Sequence, residues 1–166
     1  MSKISIEEIH KKNIGKVSDK WSSYLSVYDQ LFEKYRIEKL SLLEIGVQNG
    51  GSLETWKTFF ENASVLIGCD IDELCGDLQY DDSRVHVVVG DANQSNTLEK
   101  IVKICNSFDI IIDDGLHTFE ALLTASITRS RNETSFVTYG SHLQTLTEHL
   151  YFNLARQHQD LIGTNL

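Results

Sequence analysis

The 166-residue sequence contains no proline and only three cysteines. Cys69, Cys75 and Cys105 form no Cys-x-x-Cys pair, so neither a zinc site nor a disulfide framework is indicated. They read as reduced, mostly buried small hydrophobes of a cytoplasmic protein. No apolar run is long enough to span a membrane. The N-terminus, Met-Ser-Lys-Ile-Ser-Ile-Glu-Glu, mixes charge with apolar residues and lacks a signal-peptide core. Basic residues are scarce: 15 Lys and Arg face 24 Asp and Glu, a net charge of −9, which argues against a nucleic-acid backbone as partner. The deficit is local. Residues 1–124 hold 12 basic and 21 acidic side chains, whereas residues 125–166 hold three of each. There are no internal repeats and no low-complexity linker. What remains is one soluble domain, long enough for a real core but small for a doubly wound enzyme.

The chain is organised around Ser41–Trp56. Leu42, Leu43 and Ile45 form a short apolar run suited to a buried parallel strand. The pattern breaks at Gly46, turns through Gln48-Asn49-Gly50-Gly51, and restarts with helical spacing at Leu53, Trp56, Phe59 and Phe60. Glycines let backbone approach a ligand, and a helix start offers unpaired N–H groups. Glu44 interrupts the strand two residues before the first glycine. A carboxylate there costs stability unless something uses it, and a ligand hydroxyl or ammonium is a natural user. Taken alone, such a turn serves a dinucleotide site, a nucleoside site or plain structure.

The sequel narrows the choice. Val65-Leu-Ile-Gly-Cys ends at Asp70, where an acidic ribose-binding residue is expected. Val85-His-Val-Val-Val ends at Gly90-Asp91, and Phe108-Asp-Ile-Ile-Ile ends at Asp113-Asp114-Gly115. Successive strands thus carry an acid at the carboxyl end, where ligands bind in open α/β sheets. Around them, Trp21–Tyr35 has apolar and aromatic residues at steps of three and four, the mark of an amphipathic helix. Residues 1–20 read as a short polar helix or arm. Asp19 and Lys20 at its end either close over a ligand or form a solvated pair. Asp72–Asp82 reads as a short helix and turn. Asn96-Thr-Leu-Glu99 has the form of a capping box, before a helix whose buried face is Leu98, Ile101, Val102 and Cys105. From Leu40 the order is therefore β-α-β-α-β-α-β, a parallel sheet with right-handed crossovers. Helical spacing returns at Phe119–Ile127 and Leu143–Leu161, with a weak fifth strand at Ser135–Tyr139.

With these motifs in view, the chain resembles the class I S-adenosylmethionine (SAM)-dependent methyltransferases. Among them it is similar to the macrocin and mycinamicin sugar O-methyltransferases, whose relatives include proteins called cephalosporin hydroxylases. The likeness lies in Ser18-Asp-Lys-Trp with its Tyr-rich helix, Leu42-Leu-Glu-Ile-Gly-Val-Gln-Asn-Gly-Gly-Ser-Leu, Gly68-Cys-Asp-Ile-Asp, Gly90-Asp91 and Phe108-Asp-Ile-Ile-Ile-Asp-Asp-Gly-Leu-His. It implies a Rossmann-like doubly wound α/β sheet, C-terminally shortened or divergent. The implied division is a helical cap at 1–39, a SAM-binding core at 40–128 and a divergent segment at 129–166. By this resemblance Glu44, Gly46, Gln48, Asn49 and Gly50 would meet the methionine part of SAM. Asp70 would hold the ribose hydroxyls with Ile71 against the adenine, and Asp91 would lie near the adenine amine beside Ala92. Asp113 would join the cofactor site. Asp114 would bind Mg2+, and His117 would take the proton of a sugar hydroxyl. On the residues alone, Asp114 and Gly115 also suit a plain turn, and His117 a helix cap.

The family pattern is not continued after this point. Arg129–Leu166 lacks the Lys-x-Gly-Gly turn and the acidic fifth-strand end, leaving only His142 as a substitute ligand or a surface histidine. The leading expectation is SAM-dependent O-methylation of a sugar-like small molecule with divalent-metal assistance. The rival is a truncated, non-catalytic domain that binds a nucleoside or a protein partner. An NAD-linked oxidoreductase is disfavoured because Gly46-Val-Gln-Asn-Gly-Gly lacks the Gly-x-Gly-x-x-Gly spacing. An unfinished sheet would expose an apolar edge and favour a homo-oligomer.

Overall fold

The computed structural model describes residues 4–13, 16, 22–115 and 135–138, with the backbone alone for 22–24 and 135–138. Five parallel strands, β1 (Ser41–Ile45), β2 (Val65–Asp70), β3 (Val85–Val89), β4 (Ile110–Asp113) and β5 (Ser135–Thr138), lie in the order β3-β2-β1-β4-β5. The chain first winds outward from β1 to β3 and then returns to the other side of β1. This reversal puts a crevice at the carboxyl ends of β1 and β4, the usual ligand position in open α/β sheets.

Alternation along the strands sorts the core into two layers. Leu42, Leu66, Ile110 and Ile112 face helices α1 (Ile6–Lys12), α2 (Ser22–Phe32) and α3 (Gly51–Phe59). Leu43, Ile67, Cys69 and Ile111 face the opposite way, towards Ile101 of α4 (Ser95–Ile104). The aromatic face expected between residues 21 and 35 is present: buried Tyr28 and Phe32 meet Trp56 edge-on at 5.4 and 5.9 Å between ring centroids. The regular helix is shorter than its spacing predicts, since Glu33–Tyr35 tightens into a 3₁₀ turn. The N-terminal arm is an α-helix opened by a capping box. Ser5 Oγ accepts from Glu8 N–H, and Glu8 Oε2 accepts from Ser5 N–H.

Two sequence expectations about α4 need correction. The helix begins at Ser95, with Gln94 at the cap and no side-chain capping bond, so Asn96 lies inside it. The reason is upstream: Asp91 closes a turn in which Gln94 N–H reaches the Asp91 carbonyl, and Thr97 N–H then reaches that of Gln94. Helical bonding is thus under way before Asn96. Val102 is 45% exposed, and Thr97 is buried together with Ile101, so the apolar stripe is rotated from the expected face. The polar segment after β2 contains the expected short helix, a 3₁₀ turn at Glu73–Asp77. At the far end of α3, Arg84 donates to the carbonyls of Lys57, Phe60 and Glu61, satisfying acceptors in and just beyond the last turn. The stretches 119–127 and 143–161 lie outside the described residues, as do Trp21, Asp19 and Lys20.

Candidate functional site

The carboxyl edge of the sheet brings the strand-end residues level with one another. Ile45 pairs with Cys69 on one side and Asp113 on the other, while Asp70 pairs with Val89. Gly46 N–H donates to the Cys69 carbonyl, Gly90 N–H to that of Asp70, and Asp114 N–H to that of Ile45. The loop leaving β1 therefore stays stitched to both neighbours.

Loop shape depends on left-handed backbone. Gly46 has φ +87°, and a Cβ there would lie 2.5 Å from the Asp114 carbonyl oxygen. Gly50 has φ +77°, and its missing Cβ leaves room for Tyr80. Between them Gln48 takes φ +50°, uncommon for a residue with a side chain. The side chains of Gln48 and Asn49 are exposed at the loop tip, Gly50 is buried, and α3 begins at Gly51. A narrow glycine turn running into a helix N-terminus offers backbone N–H groups to an approaching ligand.

Glu44 is completely buried, and its Oε2 accepts from Ser52 Oγ at 2.6 Å. The carboxylate flagged in the sequence as costly thus has an internal partner in the first turn of α3, where the helix dipole also favours negative charge. Asp70 is similarly committed. Its Oδ2 accepts from Val47 N–H at 2.7 Å and Gln48 N–H at 2.8 Å, and its Oδ1 from Asp72 N–H at 3.0 Å. Burial pushes its pKa up, but these backbone donors outweigh that and hold the carboxyl below its ordinary value. Ile71, the next residue, is 63% exposed at the site's edge. Asp91 accepts from the backbone N–H of Asn93, which lowers its pKa against a smaller opposing effect of burial. Ala92 beside it is buried.

At the end of β4, Asp113 is buried and its Oδ1 accepts from Gly115 N–H at 3.1 Å. Asp114 is half-buried on the other side of the Gly46 approach. Among the described residues no group of three or more His, Cys, Asp and Glu could hold a metal ion. Asp114 is a single oxygen donor, which suits magnesium only with water, substrate oxygens or further residues completing its shell. His117 and His142 lie outside the described residues. The structure therefore gathers Glu44, Gly46, Gln48, Asn49, Gly50, Asp70, Ile71, Asp91, Ala92, Asp113 and Asp114 at one sheet edge.

Three residues of this edge were not singled out from the sequence as site residues. Ser52 holds Glu44. Cys75, read there only as an inert thiol, donates to the Gln48 carbonyl at 3.2 Å. Tyr80 donates to the Gly50 carbonyl at 2.9 Å. Only Ser52 had a usable signal, a hydroxyl just inside the helix that follows a strand-borne acid. Burial and nearby acids push Cys69 up to about 12 and Cys75 up to about 11, so both stay thiols near neutral pH.

Comparison with known proteins agrees with this geometry. No family model matches the chain. Demethylmacrocin O-methyltransferase of Streptomyces fradiae is 34% identical over 119 aligned residues, covering 66% of this chain and 29% of that protein. Mycinamicin VI 2''-O-methyltransferase of Micromonospora griseorubida is 37% identical over 97, covering 54% of this chain and 23% of that protein. The chain's curated relatives are sugar O-methyltransferases. The MycE methyltransferase of the mycinamycin pathway, solved with Mg, S-adenosylhomocysteine (SAH) and mycinamycin VI, superimposes with a TM-score of 0.66 at 28% identity, covering 81% of this chain and 38% of that one. The fold is thus the Rossmann-like one of the SAM-dependent methyltransferases. The chain spans less than a third of the length of the two curated relatives. No helix among the described residues is long and apolar enough to cross a membrane.

Proposed function

We propose that this chain binds SAM and carries the methyl-transfer core of a sugar O-methyltransferase acting on a glycosylated small molecule. The observation that carries the reading is the single edge on which a left-handed glycine loop, Asp70 and Asp91 converge, in a chain whose relatives are sugar O-methyltransferases. Backbone around Gly46–Gly50 and the Glu44–Ser52 pair suit the amino-acid end of the cofactor. Asp70 suits a ribose hydroxyl and exposed Ile71 the adenine face. Asp91 and Ala92 suit the adenine edge, and Asp113 supports the wall opposite. SAM supplies the methyl group as a cationic sulfonium, which an acidic rim favours. His117 is assigned the base that removes the acceptor's hydroxyl proton near neutral pH. Asp114 is assigned one oxygen ligand of a Mg2+ ion, whose chemistry is to acidify that hydroxyl. Localisation in the cytoplasm and self-association through a sheet edge belong to the same proposal.

Isothermal calorimetry with SAH, and NAD as control, tests it. Micromolar SAH binding without NAD binding is expected, and a folded chain that ignores SAH would refute the reading. His117→Ala should then abolish methyl transfer while leaving SAH affinity within about twofold, since a base touches the acceptor rather than the product cofactor. A second reading rests on β5. Residues 134–147 contain no Asp or Glu, so that strand brings no carboxylate to a metal. On this reading the chain binds SAM without turnover, and SAH binding with no transfer to any glycoside in the presence of magnesium would establish it.

A further inference from the structure

The loop Val47–Gly50 has one bond of its own, from Gly50 N–H to the Val47 carbonyl at 2.9 Å, and otherwise leans on distant residues. Gln48, inside the turn that this bond closes, occupies left-handed space at a cost. The further bonds that fix it come from the end of β2 and the segment after it. Asp70 Oδ2 takes the N–H groups of Val47 and Gln48, Cys75 Sγ donates to the Gln48 carbonyl, and Tyr80 OH donates to the Gly50 carbonyl. Gln48 thus has both backbone groups held from outside the loop, and the Gly50 carbonyl, which also takes the Glu54 N–H, accepts from a side chain thirty positions away. Tyr80 is itself pinned, with Lys16 Nζ 4.2 Å from its ring centroid. Lys16 also donates to the Gln79 carbonyl at 2.6 Å and to Glu54 Oε1 at 2.9 Å.

We infer that Cys75 and Tyr80 are positioning residues that hold the Val47–Gly50 loop in its cofactor-receiving form, without touching the cofactor themselves. The inference rests on the SAM-binding reading for its ligand arm, but its geometry is independent of any ligand. Burial and the nearby acids raise the Tyr80 pKa, so its hydroxyl remains a donor at every pH of interest. The roles divide along the cofactor. The loop serves the amino-acid end, whereas Asp70, Ile71, Asp91 and Ala92 serve the nucleoside. Loss of the Tyr80 contact should therefore weaken SAH and spare adenosine, which has no amino-acid end, whereas loss of Cys75, which also meets Asp70, should weaken SAH more than adenosine.

The test uses the full chain with Tyr80→Phe, Cys75→Ala and Cys75→Ser. Each of the first two removes one loop bond, and the third restores a donor at the same place. Calorimetry should show SAH affinity lowered about three- to tenfold in Tyr80→Phe and Cys75→Ala, the scale of one lost hydrogen bond. Adenosine affinity should stay within about twofold in Tyr80→Phe and fall less than SAH affinity in Cys75→Ala, and Cys75→Ser should recover most of the loss. Amide hydrogen exchange without ligand should quicken at Val47, Gln48 and Gly50 and not in β1 or β2. Unchanged SAH affinity with unchanged loop exchange overturns the inference. So does an equal loss of SAH and adenosine accompanied by faster exchange throughout the sheet, which would mean fold support only. If the wild-type chain binds neither ligand, the SAM reading fails, and loop exchange alone decides the positioning role.

Discussion

Gly46→Ala is the sharpest test of the architecture, because the obstacle is backbone on both sides. At φ +87° an alanine pays about 1–2 kcal/mol for left-handed geometry. Its Cβ would also lie 2.5 Å from the Asp114 carbonyl oxygen, 2.7 Å from its carbon and 2.9 Å from Gly115 nitrogen. No side-chain rotation relieves those contacts, so β1 and β4 must part locally, and overpacking of this kind costs about 1–3 kcal/mol. The sum, roughly 2–5 kcal/mol, is a large share of the 5–15 kcal/mol typical of a domain. For a chain of this size it should lower the melting temperature by roughly 5–15 °C. Gly76→Ala is the control, since its Cβ meets only Val89 Cγ2, at 3.3 Å. Urea denaturation of both variants and the parent reads the difference. If Gly46→Ala falls within about 0.5 kcal/mol of Gly76→Ala, the close approach of the β1 loop to the β4 end is wrong.

Ser52→Ala should cost about 1–3 kcal/mol in the same assay, because it strips a 2.6 Å bond from a fully buried carboxylate; a change under about 0.5 kcal/mol would show that Glu44 does not depend on Ser52. Asp82 is held at about 2 by its bonds to Arg84, against an ordinary value of 3.8. Its folded pKa is depressed, so its stabilisation is complete above pH 4 and is lost as pH falls towards 2; Asp82→Asn should flatten that part of the acid-unfolding curve, and an identical curve would refute the pairing. Cys69 and Cys75 should resist iodoacetamide at pH 7.4 in the folded chain and react after denaturation, as mass spectrometry of the alkylated peptides would show.

The strands and their succession along the chain were legible because buried parallel strands write themselves as short apolar runs, and each run here ends at an acid or glycine. The start of α3 was legible from Gly46, Gly50 and the spacing of Leu53 and Trp56. What the sequence concealed came from contacts between distant positions. Asn96-x-x-Glu99 fits a capping pattern, yet the turn closed by Asp91 starts the helix two residues too early for it. Val102 fits a helical stripe, yet the face that packs on the sheet is set by Thr97 and Ile101. Cys75 and Tyr80 reach the glycine loop across 27 and 30 positions, and no local pattern announces such a bond.

The repeated strand-end acids have a double origin that bears on how SAM would be held. Glu44 is bonded to Ser52, Asp91 to the Asn93 N–H, and Asp113 to the Gly115 N–H, so each acid also closes its own turn. Asp70 carries this furthest. A carboxylate has about four acceptor positions, and three are taken by the N–H groups of Val47, Gln48 and Asp72. At most one position remains, since the Cys75 thiol also lies in hydrogen-bonding contact with this carboxylate. Asp70 should therefore accept from one ribose hydroxyl rather than both. SAH analogues lacking the 2'- or the 3'-hydroxyl should then behave unequally: one loses about tenfold or more in affinity, the scale of a hydrogen bond to a charged group, and the other stays within about threefold. Asp70→Ala should abolish that inequality while also loosening the loop. Equal losses for the two analogues would mean that the carboxylate releases a loop amide on binding, and that the glycine loop is remade by its ligand rather than held ready for it.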